Sequence, residues 1–88
     1  MAERNLTLLH VLAADPPENG QIRTRSTIRA GAPKVGGRYW FEDADRNRGT
    51  LTVVSLKASP RWWTIVFSGL QRDLSRIVTG TYIRGQVS

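Results

Sequence analysis

Three arginines that are separated by even numbers of residues are the residues of this chain best placed to act together. Arg23, Arg25 and Arg29 lie in a β-branched segment, and successive residues of a strand point to opposite faces. The spacing therefore predicts three guanidinium groups on one face, spread over about 20 Å at ~3.3 Å per residue. A polyanion would relieve their mutual repulsion and release counterions. The alternative is a solvated face in which some arginines pair with Glu42 or Asp43.

Aromatic side chains stand beside basic residues in two further segments. These are Arg38-Tyr39-Trp40-Phe41 and Arg61-Trp62-Trp63. In a strand, alternate rings face opposite sides, so if Tyr39, Phe41 and Trp63 enter the core, Trp40 and Trp62 are left partly exposed. Exposed aromatics flanked by positive charge suit base stacking combined with phosphate contacts. The alternative is that at least one of these two tryptophans only covers the end of the domain or packs under residues 5–14.

The polar segment 43–49 begins like a calcium-binding loop. Its glycine comes one position late, with Arg48 in the place that needs it, and Val54 stands where the bidentate glutamate should be. Arg46 and Arg48 would also repel calcium. We therefore expect no metal here but a hairpin turn with its own Asp–Arg pairs, whose two arginines can touch a phosphate.

Catalytic patterns fail on spacing. His10 is the single histidine and lies in an apolar segment, where a packed or surface role is commoner than catalysis. No Ser–His–Asp set can be built around it. Gly31 and Gly36-Gly37 do not match phosphate-binding loops. The sequence predicts a protein that is not an enzyme, with no catalytic residue, cofactor or small-molecule substrate.

The charge of the chain is uneven. Its 88 residues carry a net charge of +6, with a balance of −2 over residues 1–19 and +8 over residues 20–88. Eleven of the thirteen basic residues are arginine, whose planar fork of donors suits phosphates and base edges and stacks on rings. GC-rich coding also enriches arginine. The balance favours a nucleic-acid partner for the larger part of the chain.

Composition also bears on the compartment. The chain has no cysteine, which excludes disulfides and thiolate zinc sites and fits a reducing environment. The apolar segment 6–14 is interrupted by polar residues and is too short to span a bilayer. The expectation is a cytoplasmic protein with no membrane partner.

The elements follow from alternation and from turn residues. Residues 5–14 suit a helix or a strand, and Asp15 to Gly20 must end either. Residues 69–75 suggest a loop or one helical turn, and Gly80 and Gly85 mark a bulge or bend in the last strand. The predicted strands are 21–29, 38–42, 50–56, 61–68 and 76–87.

Five short strands in about sixty-five residues predict a mainly β domain. The expected architecture is a small five-stranded SH3-like barrel over residues 21–88, with an OB-type barrel as the other candidate. Residues 1–20 form an N-terminal segment that supplies a helix or an extra strand and then a proline-rich turn.

Several short motifs within residues 33–86 resemble small SH3-like barrel proteins of actinobacteria and their phages. They are Val35-Gly36-Gly37-Arg38-Tyr39-Trp40, then Asp45-Arg46-Asn47-Arg48-Gly49 with the valine-containing strand after it, and Thr81-Tyr82-Ile83-Arg84. Related barrels of the KOW and Tudor kind bind RNA, DNA or protein tails. The resemblance therefore implies a binding role and leaves the ligand open.

The first functional hypothesis is a sequence-tolerant barrel that binds RNA or single-stranded DNA. Its phosphate and base contacts would come from arginines and tryptophans spread over the strands and the hairpin tip. The candidate residues are Arg23, Arg25, Arg29, Arg38, Trp40, Arg46, Arg48, Arg61 and Trp62.

Two other hypotheses remain. A protein-interaction module, such as a phage-type inhibitor, an assembly subunit or a homodimer, would use the apolar side chains Leu6, Leu8, Leu9 and Leu12. A winged-helix DNA-binding protein would have its first helix at residues 6–14 and its wing at residues 38–56. The weak point of the winged helix is residues 21–35, where strand and loop patterns stand in place of a recognition helix.

Overall fold

The computed structural model describes residues 9–29, 33–43 and 45–87. Within them lie the strands and helix β1 (Leu9–Ala14), β2 (Gln21–Ile28), β3 (Arg38–Glu42), β4 (Arg48–Ala58), β5 (Trp63–Ser68), α1 (Gln71–Leu74) and β6 (Tyr82–Gln86). All strand pairs are antiparallel, and the strands close into a barrel in the order β1-β2-β5-β4-β3-β6. The prediction of a mainly β protein is confirmed, with six barrel strands instead of five.

The barrel interior is filled by alternate residues of each strand. In β2, Ile22, Thr24 and Ser26 are buried while the residues between them are exposed, as the period of two predicts. The buried Thr24 hydroxyl lies 3.1 Å from the Ser26 hydroxyl and donates to the Ile65 carbonyl at 3.2 Å. Both polar side chains therefore have a hydrogen-bond partner inside the core.

The additional strand is β1, from the N-terminal segment. It pairs with β2 on one edge and β6 on the other, and Leu9 and Val11 are fully buried. A bulge at Leu12 shifts the register between Val11 and Ala13. Ala13 therefore pairs with the outward-facing Arg25, and the strict alternation that identifies a strand is broken. The boundary expected at residue 20 thus falls in the hairpin between β1 and β2, which are both strands of the barrel. Residues 5–8 of the segment expected to be helix or strand lie outside the described residues.

The last strand is shorter than predicted. It begins at Tyr82 instead of residue 76, because residues 76–81 form turns in which Thr81 N–H donates to the Val78 carbonyl. Gly80 has a φ of +93° there, which favours glycine. Gly85 pairs with Trp40 beside a register shift, so the expected irregularity of the last strand is found at Gly85. For Gly80 the expectation is wrong, because Gly80 lies in the turn before the strand begins.

The short helix α1 and the turn after it cover one end of the barrel. Leu74 and Ile77 are buried in the core cluster, which explains why apolar residues precede the last strand. Of the two alternatives expected for residues 69–75, a loop or one helical turn, the structure has the helical turn. The winged-helix hypothesis is wrong for the described residues, because Leu9–Ala14 is a strand and the helix has four residues.

The turn between β3 and β4 is organised by Asp43. Its Oδ1 accepts the backbone N–H groups of Asp45 and Asn47, each at 2.9 Å. The bond from Asn47 is the main reason why the pKa of the Asp43 carboxyl lies below its ordinary value, and the bond from Asp45 and the charge of Arg76 lower it further. The predicted Asp–Arg pairs within the turn are wrong in detail: Asp43 lies 3.9 Å from Arg76 of the segment after α1, and the turn arginine Arg48 pairs with Glu42.

We expect Asp43→Ala to lower the urea midpoint of unfolding more than Asp43→Asn does, because the amide oxygen of asparagine can still accept the turn N–H groups. A lowered folded-state pKa stabilises the fold above the unfolded-state pKa, about 3.9, and the stabilisation is lost as the pH falls through the folded value. The difference in unfolding free energy between wild type and Asp43→Asn should be constant from pH 5 to 7 and shrink below pH 4. Urea titrations at several pH values measure it, and a pH-independent difference would contradict the charge argument.

Candidate nucleic-acid interface

The arginine face predicted for β2 lies on the outside of the barrel. Arg23 pairs with Val66 and Arg25 pairs with Thr64 across the β2–β5 ladder. Both arginines are exposed, and directly opposed residues in a ladder project from the same face of the sheet. The predicted alternation of β2 is therefore confirmed.

A bulge in β4 adds a lysine to the same face. The register shifts between Val53 and Ser55, so that Ser55 pairs with Val66 and Lys57 pairs with Thr64. Without the extra residue Val54, strict alternation after the buried Val53 would turn position 57 inward. Lys57 was missed in the sequence because the predicted strand ended at residue 56 and nothing in the residue types marks the bulge.

An open groove of about 520 Å³ lies on the outer face of β2, β5 and β4, beside the end of β1. Its floor is built from small or short side chains, Ala13, Ser55, Thr64 and Val66. Its charged groups are Arg23, Arg25 and Lys57 against the single carboxylate of Asp15. A shallow floor with three cations along it suits an extended polyanion.

Trp62 stands at one end of this groove. The Arg25 guanidinium carbon lies 5.5 Å from the centroid of the Trp62 ring, within the range of a cation–π contact. The ring belongs to the β4–β5 turn, which is closed by a bond from Ser59 N–H to the Trp62 carbonyl. Arg61 is exposed in the same turn, and Arg29 is exposed directly after the end of β2. The half-buried tryptophan and its arginine neighbours thus match the predicted combination.

Trp40 has a different environment. The Arg48 guanidinium carbon lies 4.7 Å from its ring centroid, and Arg48 is held by Glu42 at 3.5 Å. A Cβ added to Gly85 would come within 3.0 Å of the Trp40 Nε1, so the ring packs closely on the backbone of β6. Both contacts hold the Trp40 ring against its neighbours in β4 and β6.

The nine predicted contact residues divide between two sides of the barrel. Strands β2 and β3 are separated by two strands along either route around the closed order, so they lie opposite each other. Arg23, Arg25, Arg29, Arg61 and Trp62 belong to the β2–β5 side. The other side, on β3 and its hairpin with β4, carries the exposed Arg38, Arg46 and Arg48 and the half-buried Trp40. One strand of nucleic acid cannot contact all nine along a single straight path.

The leucines expected at a protein interface also separate. Leu9 is fully buried and belongs to the core, whereas Leu12 is 39% exposed. Leu6 and Leu8 lie outside the described residues. His10 stacks on Tyr82 with ring centroids 4.6 Å apart, the packed surface role expected for a lone histidine.

Comparisons with protein-family models, with curated proteins and with solved structures gave no match. The interpretation of the groove therefore rests on its own geometry and charge. Among the residues described, no helix is long and apolar enough to cross a membrane.

Proposed function

We propose that the chain is a non-enzymatic barrel that binds single-stranded RNA or DNA through the groove between β2, β5 and β4. The observation that carries the proposal is the convergence of Arg23, Arg25 and Lys57 on one outer face. Two ion pairs join residues in the described ranges, and neither includes any of these three side chains. Their mutual repulsion is offset when phosphates bind, because phosphate contacts release counterions from the nucleic acid.

Each part of the groove has a role in this proposal. Arg23, Arg25 and Lys57 contact phosphates, and the shallow floor lets the backbone of a single strand lie close to the sheet. Trp62 offers a ring for one base, which exchanges places with the Arg25 guanidinium now over it. Contacts to phosphates and to a ring carry little sequence information, so the expected binding is sequence-tolerant.

The proposal agrees with what the SH3-like resemblance of residues 33–86 implies, since KOW and Tudor barrels bind RNA, DNA or protein tails. We extend that resemblance to the barrel as a whole only as part of this proposal. The side of the barrel that carries Trp40 takes no part in the proposed site, because Arg48 is already paired with Glu42.

The test compares two triple variants of equal charge. Arg23→Ala/Arg25→Ala/Lys57→Ala removes the groove cations, and Lys34→Ala/Arg38→Ala/Arg72→Ala removes two exposed arginines and a lysine elsewhere. We expect wild type to bind oligonucleotides with a Kd of about 10⁻⁶–10⁻⁴ M, as non-specific binding does. The groove variant should lose about tenfold or more, and its salt slope should fall by about 2, at ~0.7 per lost phosphate contact.

Fluorescence anisotropy with labelled single-stranded RNA, single-stranded DNA and duplex DNA over a salt series measures both quantities. Thermal unfolding checks that each variant is folded. Absence of binding to all three polymers at low salt would refute the proposal. Equal weakening by the two triple variants would show that the charge of the whole chain, and not the groove, binds the polymer.

A further inference from the structure

The side chains that line the groove are mainly basic, whereas those near the hairpin between β1 and β2 are mainly acidic. Asp15, Arg23 and Val66 line both the groove of about 520 Å³ and an adjoining cavity of about 280 Å³. The adjoining cavity adds the carboxylate of Glu18 and no further cation. Three cations and one carboxylate line the groove, whereas one cation and two carboxylates line the adjoining cavity.

Backbone hydrogen bonds order the hairpin that carries these two acidic residues. Asp15 N–H donates to the Arg23 carbonyl at 2.9 Å, and Glu18 and Gln21 exchange backbone bonds of 2.8 and 3.0 Å. Two prolines stand between the acidic residues and restrict the chain further. The hairpin backbone that carries both acidic residues is thus a fixed part of the fold, and their side chains are exposed.

The other end of the groove has the opposite character. Arg61 and Trp62 stand there on the β4–β5 turn, and Arg29 follows the end of β2. The sequence has no acidic residue between Glu18 and Glu42, or between Asp45 and Asp73. A polyanion that leaves the groove at this end meets only neutral and basic groups of β2, the β4–β5 turn and β5.

We infer, on the basis of the proposed function, that the groove accepts a single strand from the Trp62 end only and stops it at Arg23. Phosphates beyond Arg23 would lie at the adjoining cavity beside Asp15 and Glu18, where like charges repel. A groove closed at one end holds few nucleotides. We expect a binding site of about four nucleotides. Single OB folds bind about 4–16 nucleotides, so this length is at the lower end of their range.

A length series tests the inference. Oligo(dT) and oligo(U) of 3, 4, 6, 8 and 12 nucleotides are titrated by anisotropy at several salt concentrations. The salt slope counts the phosphates bound and does not depend on how many registers a longer oligomer offers. For wild type we expect the slope to rise up to about four nucleotides and then stay constant.

Neutral variants locate the stop. Asp15→Asn/Glu18→Gln should raise the affinity for the 12-mer relative to the 4-mer about threefold or more above the wild-type ratio. Its salt slope should stay as in wild type, because the adjoining cavity holds no cation besides Arg23. Glu42→Gln/Asp45→Asn removes two carboxylates from the hairpin on the other side of the barrel and should keep the wild-type length dependence. Thermal unfolding of each variant confirms that the barrel is intact.

The outcomes separate the two proposals. If wild type binds no oligonucleotide at any length, the proposed function fails. If wild type binds but its slope keeps rising to 12 nucleotides, the function stands and the one-ended groove is refuted. The one-ended groove is also refuted if the slope levels off but Asp15→Asn/Glu18→Gln behaves like Glu42→Gln/Asp45→Asn, since the two carboxylates then do not stop the strand.

Discussion

Gly49→Val is expected to destabilise the barrel strongly. A Cβ at Gly49 would lie 2.6 Å from Cζ and 2.7 Å from Cε1 of Phe41, and 2.8 Å from an oxygen of Asp73. Phe41 is fully buried and has no space into which to retreat. We expect a loss of about 3 kcal/mol or more in unfolding free energy, which lowers the Tm by about 15 °C.

Thr50→Val is the matched control for Gly49→Val. It places the same side chain one position further along β4, where Thr50 is only half buried on the outer face. A change within about 0.5 kcal/mol is expected there. Differential scanning fluorimetry and urea unfolding compare the two. A Tm for Gly49→Val within 3 °C of wild type would mean that Phe41 does not pack on the backbone of β4 as described.

Removal of residues 1–14 is expected to abolish cooperative unfolding altogether. The deletion takes Leu9 and Val11 out of the core and leaves β2 and β6 each with an unpaired edge. Loss of one buried leucine side chain alone costs about 2–5 kcal/mol, a large part of the stability of a domain this small. Near-ultraviolet circular dichroism and urea titration of residues 15–88 measure the effect.

Two point variants separate packing from a change in chain length. Leu9→Ala should be strongly destabilising, and Leu12→Ala on the same strand should change the unfolding free energy by less than about 1 kcal/mol, because Leu12 is the exposed bulge residue. If residues 15–88 unfold with the midpoint of the full chain, β1 is an attachment to a complete barrel and the description of closure is wrong.

The features that the sequence predicted are those with an unbroken local pattern. The alternation in β2 has no bulge, so its arginines could be placed on one face from spacing alone. The same alternation in 38–42 and 61–68 predicted that Trp40 and Trp62 are partly exposed if Tyr39, Phe41 and Trp63 enter the core. Tyr39 and Phe41 are buried, Trp63 is half buried against the core, and both other tryptophans are half buried. Here the physical cause is entirely local, because strand geometry fixes which neighbours share a face.

The features that could not be predicted depend on bulges or on the order of strands. One extra residue at Leu12 disguises β1, and one at Val54 determines the side on which Lys57 lies. The apolar residues near Ile77 resemble part of a strand in the sequence. They are apolar because the turn that carries them covers one end of the core. The separation of the two arginine–tryptophan pairs follows from the pairing of β2 with β5, a long-range contact that no local pattern contains.

The pairing of the first and last strands has a consequence for how the chain folds. Leu9 lies opposite Ile83, so the ring of strands can close only after all the residues from β1 to β6 are available. A nascent chain therefore carries an open sheet with unpaired edges until β6 has left the ribosome. Such distant pairings favour refolding over milliseconds to seconds, slower than helical domains of equal size, and make closure of this seam the step most exposed to misassembly.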